Sequence, residues 1–585
     1  MEDVTTTTTT TPPGKDVDDI RMFDDLLEYL GYGWWSVFIF IICGLSEGIL
    51  VAHTLGGAFT TPYLPHTCVY PQLNTSTSAV IITPVDECVY NVTDNDGDGE
   101  TRQMKCNEWN FDNSVFGTTL TAEMSLVCDR AYMAPLYTSI YMFGSVFGAS
   151  LGGLLSDKIG RRPVVVWSLA VFIITACTTT FLYNIHIILT LRFIMGCLHA
   201  TLLQSSYILA LETTRIRARS LVGMMVVTPW AIFMIVYGGA GYLLKHWRHV
   251  TLALTLPFLL MLLICWYLDE SARWLLVRGK VEEAQKVVVR ASKWNRVKPP
   301  PLHTLNNIMA NLHHKKEVRS TSTWDVLRQQ VLSLFILVRN KQLRTLTMVV
   351  CLNFFTASMV YFGLSLSAVN LSADPFVYMM VGGLVELPPY LITGPILATL
   401  GRKKPATFNF CISGLILVVL PFISKTGGGW VNITIAMLSK MCISSVFVEL
   451  FLYSAEVFPT EIRIQGLGTG VFCSRFGSIL SPFINDILTP LHPWMTSVVI
   501  GGIAVTAGIA THLLLPETLG NTLPDMVGDL DDDTTQQQQP PDQLSSPIVQ
   551  IHQGQGQDKK PDQGNGSDIG MTVQAKNCVK NTVQV

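Results

Sequence analysis

Glu47, Arg192, Glu386, Glu449 and Arg475 are ionisable side chains inside long apolar runs. A charge at the centre of a membrane span costs ~2.5–3.5 kcal/mol on insertion scales and faces a partner or a water-filled cavity, so each is a candidate contact for a charged solute. Glu386 stands just before Pro388 and Pro389, which break the regular backbone and free polar groups beside the acid. Glu449 can attract a cation, bind a coupling ion or carry a proton; the alternative is a neutral acid turned toward a neighbouring helix. Glu47 sits between Gly44 and Gly48, where small residues allow close helix approach and hence an interhelical bond. The sequence has no Gly-rich phosphate loop, metal-spaced His cluster or nucleophile elbow. Neither enzyme chemistry nor ATP-driven pumping is therefore indicated, and no cofactor, resident metal or nucleic-acid partner is expected.

These groups require a scaffold that lives in a lipid bilayer. Of 585 residues, 49% are hydrophobic and 14% charged, too apolar for a soluble chain of this length. Apolar runs fall near 34–57, 133–155, 164–184, 187–210, 220–243 and 249–268, and again near 346–367, 376–399, 406–424, 431–454, 467–488 and 494–515. About 20 apolar residues cross a ~30 Å hydrocarbon core as a helix, and continuous runs exclude a barrel. The predicted organisation is an N-terminal segment 1–33 and a six-helix bundle 34–268, then a polar linker 269–345. A second six-helix bundle 346–515 and a tail 516–585 complete it. The linker should hold short amphipathic helices, with Glu282, Glu283 and Lys286 on one surface.

Polar signatures recur about 240 residues apart in the same order. Gly160-Arg161-Arg162 returns as Gly401-Arg402-Lys403, Glu212 with Arg215 and Arg217 as Glu456 with Glu461 and Arg463, and Asp269-Glu270-Ser271 as Pro516-Glu517-Thr518. Duplication makes two pseudo-symmetric bundles that can rock about a site between them, which is the requirement for alternating access. Asp157, Arg161, Arg162, Glu212, Arg217, Arg402, Glu456 and Arg463 are predicted to form latches, with charges bonding between the halves in one state and parting in the other. The plainer alternative is basic loops that only orient the chain.

Lys158, Arg161, Arg162, Arg215, Arg217, Arg219, Arg402, Lys403 and Lys404 all fall between an even-numbered span and the next, which places them and both termini in the cytoplasm. Residues 58–132 are then extracellular, in keeping with Cys68, Cys88, Cys106 and Cys128, which allow three pairings, and with glycosylation sequons at Asn74 and Asn91. The other nine cysteines are expected to be free thiols. Met1 to Lys15 is Thr-rich and polar, so the first span is expected to act as its own insertion signal. The tail from about Asp525, rich in Gln, Pro, Asp and Gly, is expected to be disordered, and Val583-Gln584-Val585 is a weak candidate ligand for a scaffold protein.

Several separate segments carry a family resemblance: Leu120-Thr121-Ala122-Glu123-Met124-Ser125-Leu126-Val127-Cys128, Glu270-Ser271-Ala272-Arg273-Trp274-Leu275-Leu276, Tyr361-Phe362-Gly363-Leu364, Gly383-Leu384-Val385-Glu386-Leu387-Pro388 and Tyr453-Ser454-Ala455-Glu456-Val457-Phe458-Pro459-Thr460. From about Asp24 to Gly520 the chain resembles the organic cation, anion and zwitterion transporters, solute carrier family 22 of the major facilitator superfamily. Asp269 and Ala272 depart from it, standing where the family has proline. The resemblance implies an all-α, twelve-helix fold with a large extracellular loop after the first helix and one central cavity that opens alternately to each side. Glu386 matches a position that is acidic in cation and carnitine-type members, and Arg475 one that is arginine in anion and carnitine-type members. Their combination resembles the carnitine-like branch and implies Glu386 on a quaternary ammonium and Arg475 on a carboxylate; the rival is a mutually neutralising structural pair. Arg192-Phe193-Ile194-Met195-Gly196 is similar to the superfamily's fourth-span arginine motif, which implies helix positioning or proton coupling. Tyr361, within a family motif, is implied as an aromatic wall for a cation, with Trp230, Tyr237, Phe354, Phe447 and Phe451 in spans that line the cavity of relatives.

The resulting expectation is a plasma-membrane secondary transporter of small organic cations or zwitterions, with Na+, H+ or the membrane potential as driving force. The alternatives are an organic anion carrier, a neutral-solute carrier of sugar type, and a non-transporting receptor or adaptor. A sugar carrier needs Gln and Asn rings, and the seventh span offers only Asn353. A receptor has no reason to keep Glu386, Arg475 and Glu449 inside the bilayer.

Overall fold

Apolar runs long enough to cross a bilayer become helices because a helix pairs its own backbone donors and acceptors. The computed structural model describes residues 22–70, 80–94, 101–317, 337–338, 340–367, 374–424, 429–459 and 462–520. Its first six spans are α1 (Trp34–Thr54), α2 (Met133–Ile159), α3 (Arg161–Thr179), α4 (Ile185–Glu212), α5 (Thr228–Leu244) and α6 (Trp247–Tyr267). The other six are α7 (Lys341–Leu366), α8 (Pro375–Leu400), α9 (Lys403–Ser424), α10 (Gly429–Val457), α11 (Arg463–Leu491) and α12 (Pro493–Leu514). Ten of them are both long and apolar enough to cross a membrane; α5 has only 17 residues, and α11 carries Arg463, Arg475 and Asp486. The twelve expected spans are therefore all helical, the first ending at Thr54 and followed by a separate turn of helix, Gly57–Thr60.

At one end lie the basic loops and a layer of short helices, Phe23–Leu30, Ala272–Val277, Val281–Asn295 and Leu302–Glu317. Val281–Asn295 is amphipathic as expected, with Glu282, Glu283 and Lys286 exposed and Ala284, Val287 and Val288 buried. Asp269, where the family has proline, fastens this layer to the bundle. Its carboxylate accepts from the Trp35 indole at 2.9 Å and pairs with Arg290 at 2.8 Å.

At the other end sits the extramembrane segment, where the only strands among the described residues occur: β1 (His66–Cys68), β2 (Val80–Pro84), β3 (Val89–Asp94), β4 (Thr101–Lys105) and β5 (Trp109–Phe111). β1 pairs with β5, and β2, β3 and β4 form an antiparallel sheet. Of the three possible pairings the structure has Cys68–Cys106 and Cys88–Cys128. Asn91 lies on β3, opposite Thr83 and Gln103. Asn74, the Thr-rich start and the tail beyond Gly520 lie outside the described residues.

The two halves meet closely toward the disulfide-bearing end. α5 crosses α8 with Gly238 against the Phe376 carbonyl and Met380, where an added Cβ would lie 2.8 Å and 2.7 Å from them. The Ser139 hydroxyl of α2 donates to the Ile479 carbonyl of α11 at 2.7 Å. Phe59 and Tyr237 from one half and Phe376 from the other stack at centroid distances of 4.6 and 4.8 Å from Phe59, and Phe116 of the extramembrane segment packs 5.4 Å from Phe376. All four rings are buried, so they form an aromatic plug at that end.

Candidate functional site

The repeated polar signatures fold into two equivalent clusters. Gly160 and Gly401 hold positive φ values of 121° and 85°, a turn that favours glycine and brings the following arginine back under its own half. Arg161 then pairs with Asp157 at 2.9 Å and Glu212 at 3.2 Å, while its backbone N–H donates to Glu270 at 2.9 Å. Arg402 pairs with Glu456 at 2.8 Å, and its N–H donates to Glu517 at 2.9 Å. The guanidiniums also donate to matching carbonyls, Ser156 and Leu397, both at 3.0 Å. Outside the spans, burial pushes the Glu270 carboxyl above its ordinary value, with N–H bonds from Ser271, Arg162 and Arg161 offsetting part of the rise. Burial also raises Glu517, but N–H bonds from Arg402, Leu519, Thr518 and Lys403 outweigh it and hold that carboxyl low.

Three expectations about these latches need correction. Each cluster ties helices within one half, and none of the described pairs at this end joins the two halves. Arg217, 90% exposed, pairs with Glu28 of the Phe23–Leu30 helix at 3.5 Å instead of Glu212, because Arg161 already occupies that carboxylate. Arg463 donates to the Phe458 carbonyl rather than to Glu456, and the Arg162 side chain to the Trp266 carbonyl.

The mid-span charges do not form the rival structural pair of Glu386 with Arg475. Glu386 is bound by Lys440 of α10, at 3.1 Å with neither side chain exposed. The ammonium also lies 3.5 Å from the Met234 sulfur and 5.4 Å from the Tyr361 ring centroid. Tyr390 donates to Glu386 at 3.2 Å, and the Trp230 indole of the first half donates to the Tyr361 hydroxyl at 2.7 Å. Phe447 meets Tyr361 edge-on at 5.6 Å. Thus Trp230, Tyr361 and Phe447 join the site, Tyr237 belongs to the plug, and Phe354 packs on Phe451 and Gly470. Lys440 is the residue that sequence reasoning missed, although a lysine within the apolar run from Ile433 to Leu452 is the same signal that singled out Glu386.

Arg475 of α11 forms no ion pair among the described residues. Glu449 accepts from Asn409 of α9 at 2.7 Å and from Ser445 at 3.0 Å, so it faces a neighbouring helix. Arg192 donates to the His53 carbonyl at 2.8 Å, and the rings of Tyr137 and Tyr141 cover its guanidinium at 4.0 and 4.6 Å. This is a positioning role. Glu47, 2% exposed, has neither a hydrogen bond nor an ion pair among the described residues. His66, Cys88 and Cys128 cluster at metal-ligand distances, but the Cys88–Cys128 disulfide consumes both thiolates.

The arrangement is that of a carrier: two related bundles, a plug at one end, and charged and aromatic groups between them. Comparisons with known proteins agree. Residues 85–528 match the family described as Sugar (and other) transporter. The organic cation transporter protein of Drosophila melanogaster is 28% identical over 528 residues, 87% of this chain and 94% of that one. Solute carrier family 22 member 6 of Oryctolagus cuniculus is 29% identical over 75% of this chain and 78% of its own. Organic cation transporter 1 of Caenorhabditis elegans is 28% identical over 87% and 88%. The xylose transporter XylE of E. coli in its partially occluded inward-open form shares the fold, with a TM-score of 0.54 and 16% identity over 84% of this chain and 100% of that one. The chain is thus a multi-pass membrane transporter and not an enzyme, and it belongs to the sugar (and other) transporter family of the major facilitator superfamily, in its solute carrier family 22 group.

Proposed function

We propose that the protein is a secondary transporter of small organic cations and zwitterions, carnitine-like compounds among them, which bind at mid-span between the two bundles. The observation that carries this reading is the Glu386–Lys440 pair under Tyr361 and Trp230. A buried pair can open to admit a zwitterion without leaving either charge uncompensated. Aromatic faces then hold an ammonium for ~0.5–2 kcal/mol each. The Trp230–Tyr361 bond crosses between the halves, so a solute that displaces it alters how they are held together. The basic loops and the disulfides at the opposite end support a position in the plasma membrane with both termini in the cytoplasm. In that orientation Asn91 and Asn74 are glycan acceptors, the domains keep the boundaries read from the sequence, and the plug closes the extracellular side. Na+, H+ or the membrane potential alone would drive uptake, the last contributing ~2.3 kcal/mol per charge per 100 mV. The organisms' carriers named for organic cations support a cationic substrate class.

The test is uptake of radiolabelled tetraethylammonium and carnitine into cells expressing wild type, Glu386→Gln and Arg475→Ala at matched surface level. Carnitine uptake lost in both variants, with tetraethylammonium uptake lost only in Glu386→Gln, is the expected result. Wild-type protein at the surface that moves neither compound would exclude this substrate class.

A further inference from the structure

The helices α8 and α10 are tied at two places. Glu386 of α8 holds Lys440 of α10, and about two turns farther along α8 the Thr393 hydroxyl meets the Ser445 hydroxyl of α10 at 2.7 Å. The second tie leads to an acid. Ser445 spends its proton on Glu449 Oε1 at 3.0 Å, so Thr393 is the donor between the two hydroxyls. The Asn409 amide of α9 donates to the same oxygen at 2.7 Å. All three donors thus run toward Oε1, while Oε2 is buried and has no hydrogen-bond partner among the described residues.

Glu449 is 1% exposed, and α10 packs on α7, α8, α9 and α11. Along α8 the titratable groups nearest the cluster are Glu386 and Tyr390, ahead of Thr393; along α10 they are Cys442 and Glu456, about two turns to either side of Glu449. Glu386 is held by Lys440 and Glu456 by Arg402. Lys341 and Arg344 of α7, Lys403 and Lys404 of α9, and Arg463 and Arg475 of α11 form no ion pair with Glu449 among the described residues. An ionised Glu449 would therefore stand buried and uncompensated, with one oxygen bare, which is costly. A proton on Oε2 removes that cost and leaves Oε1 as the carbonyl oxygen that accepts both bonds. A metal cation fits less well, because it needs oxygen lone pairs and the cluster turns hydrogens toward the acid.

We propose that Glu449 is an exchangeable proton site and that the carrier trades its proton for the organic cation bound at Glu386. This rests on the transport reading above and names the coupled ion. The two ties join the events. A cation that takes Glu386 from Lys440 opens the first tie, and α8 can then bend, since Pro388, Pro389 and Pro395 remove the N–H bonds to the Leu384, Val385 and Leu391 carbonyls. Withdrawal of Thr393 from Ser445 lets water reach the acid; the Oε2–H bond breaks, the proton passes to that water and the carboxylate remains. When the cation leaves on the other side, a proton from water there binds Oε2 and the ties close again. Proton and cation move in opposite directions.

The experiment uses the purified full-length protein in liposomes, with the membrane potential clamped by potassium and valinomycin and a pH-sensitive dye in the lumen. Tetraethylammonium added outside should make the lumen more alkaline in the wild type. Glu449→Gln copies the protonated acid in shape, so its dye response should fall at least tenfold more than its tetraethylammonium counterflow, which needs no net proton release. A role in packing alone lowers the two in proportion, and that result would overturn the proton site. Wild type that carries tetraethylammonium with no rise in lumenal pH would also overturn it and leave the transport reading standing. Wild type without tetraethylammonium counterflow would overturn the transport reading and the proton site with it.

Discussion

The Lys440 ammonium lies 3.1 Å from the Glu386 carboxylate, and neither side chain is exposed. Removing one partner of such a pair leaves an uncompensated buried charge, at a cost of ~3–5 kcal/mol, whereas replacing both by groups of similar volume is often neutral. Lys440→Ala and Glu386→Gln are each expected to lower the melting temperature of the purified carrier. Glu386→Gln combined with Lys440→Met should recover most of that loss. Additive losses in the double variant would show that the two charges do not compensate each other.

The arginine clusters of the two halves make a graded prediction. Arg402 and Glu456 are each less than one-fifth exposed, and charge-assisted bonds of this kind contribute ~1.5–3 kcal/mol. Arg402→Ala and Glu456→Gln should each lower stability by about that amount. Their double variant should be little worse than either alone. Arg217, by contrast, is paired with Glu28 at 90% exposure, and exposed pairs contribute ~0–1 kcal/mol. Arg217→Ala should melt close to wild type. Chemical denaturation of the four variants in detergent decides between this ranking and equal roles for the arginines.

The fold was legible in the sequence because each span is a long apolar run and because Gly160-Arg161-Arg162 repeats as Gly401-Arg402-Lys403. Depth along a helix was legible too, which is how Glu386 and Arg475 emerged. What one dimension could not supply was the facing direction. Which charge meets which depends on how α8, α10 and α11 are rotated and packed, and a shift of one residue turns a helical side chain by about 100°. Glu386 therefore turned to Lys440 and not to Arg475, and Glu449 to Asn409 of α9. Latch partners failed for a related reason. Proximity in sequence favoured Arg217 for Glu212, while the turn at Gly160 delivers Arg161 to that acid first.

Glu270 and Glu517 occupy equivalent turns yet are displaced in opposite directions, Glu270 upward chiefly by burial and Glu517 downward because four N–H bonds outweigh its burial. A carboxyl depressed in the folded state stabilises above its unfolded pKa and loses that contribution as pH falls through the folded value. A raised carboxyl holds its proton more tightly when folded, so its contribution improves as pH falls. Across the carboxylate range, the melting-temperature advantage of wild type over Glu517→Gln should shrink as pH falls. Relative to Glu270→Gln, wild type should gain over the same range. Parallel pH curves for both variants would contradict the assignment.

Closure at the disulfide-bearing end depends on Gly238. An added Cβ there would lie 2.7 Å from Met380 Cγ and 2.8 Å from the Phe376 carbonyl oxygen, inside any ordinary contact distance, and one of those atoms is backbone. A larger side chain therefore cannot be absorbed by a rotamer change alone; it must hold α5 away from α8 and keep Phe59, Tyr237 and Phe376 from stacking. Gly238→Leu is expected to leave insertion and surface level intact, since the side chain is apolar and within a span, but to lower net uptake at least tenfold. Cysteines introduced near the plug in that variant should gain reactivity toward an impermeant thiol reagent added from outside. Gly239, whose added Cβ would meet nothing nearer than the Met380 sulfur at 4.0 Å, is the control. Gly239→Leu should transport close to the wild-type rate, and equal losses at the two positions would show that helix propensity, not closure, is what the glycine supplies.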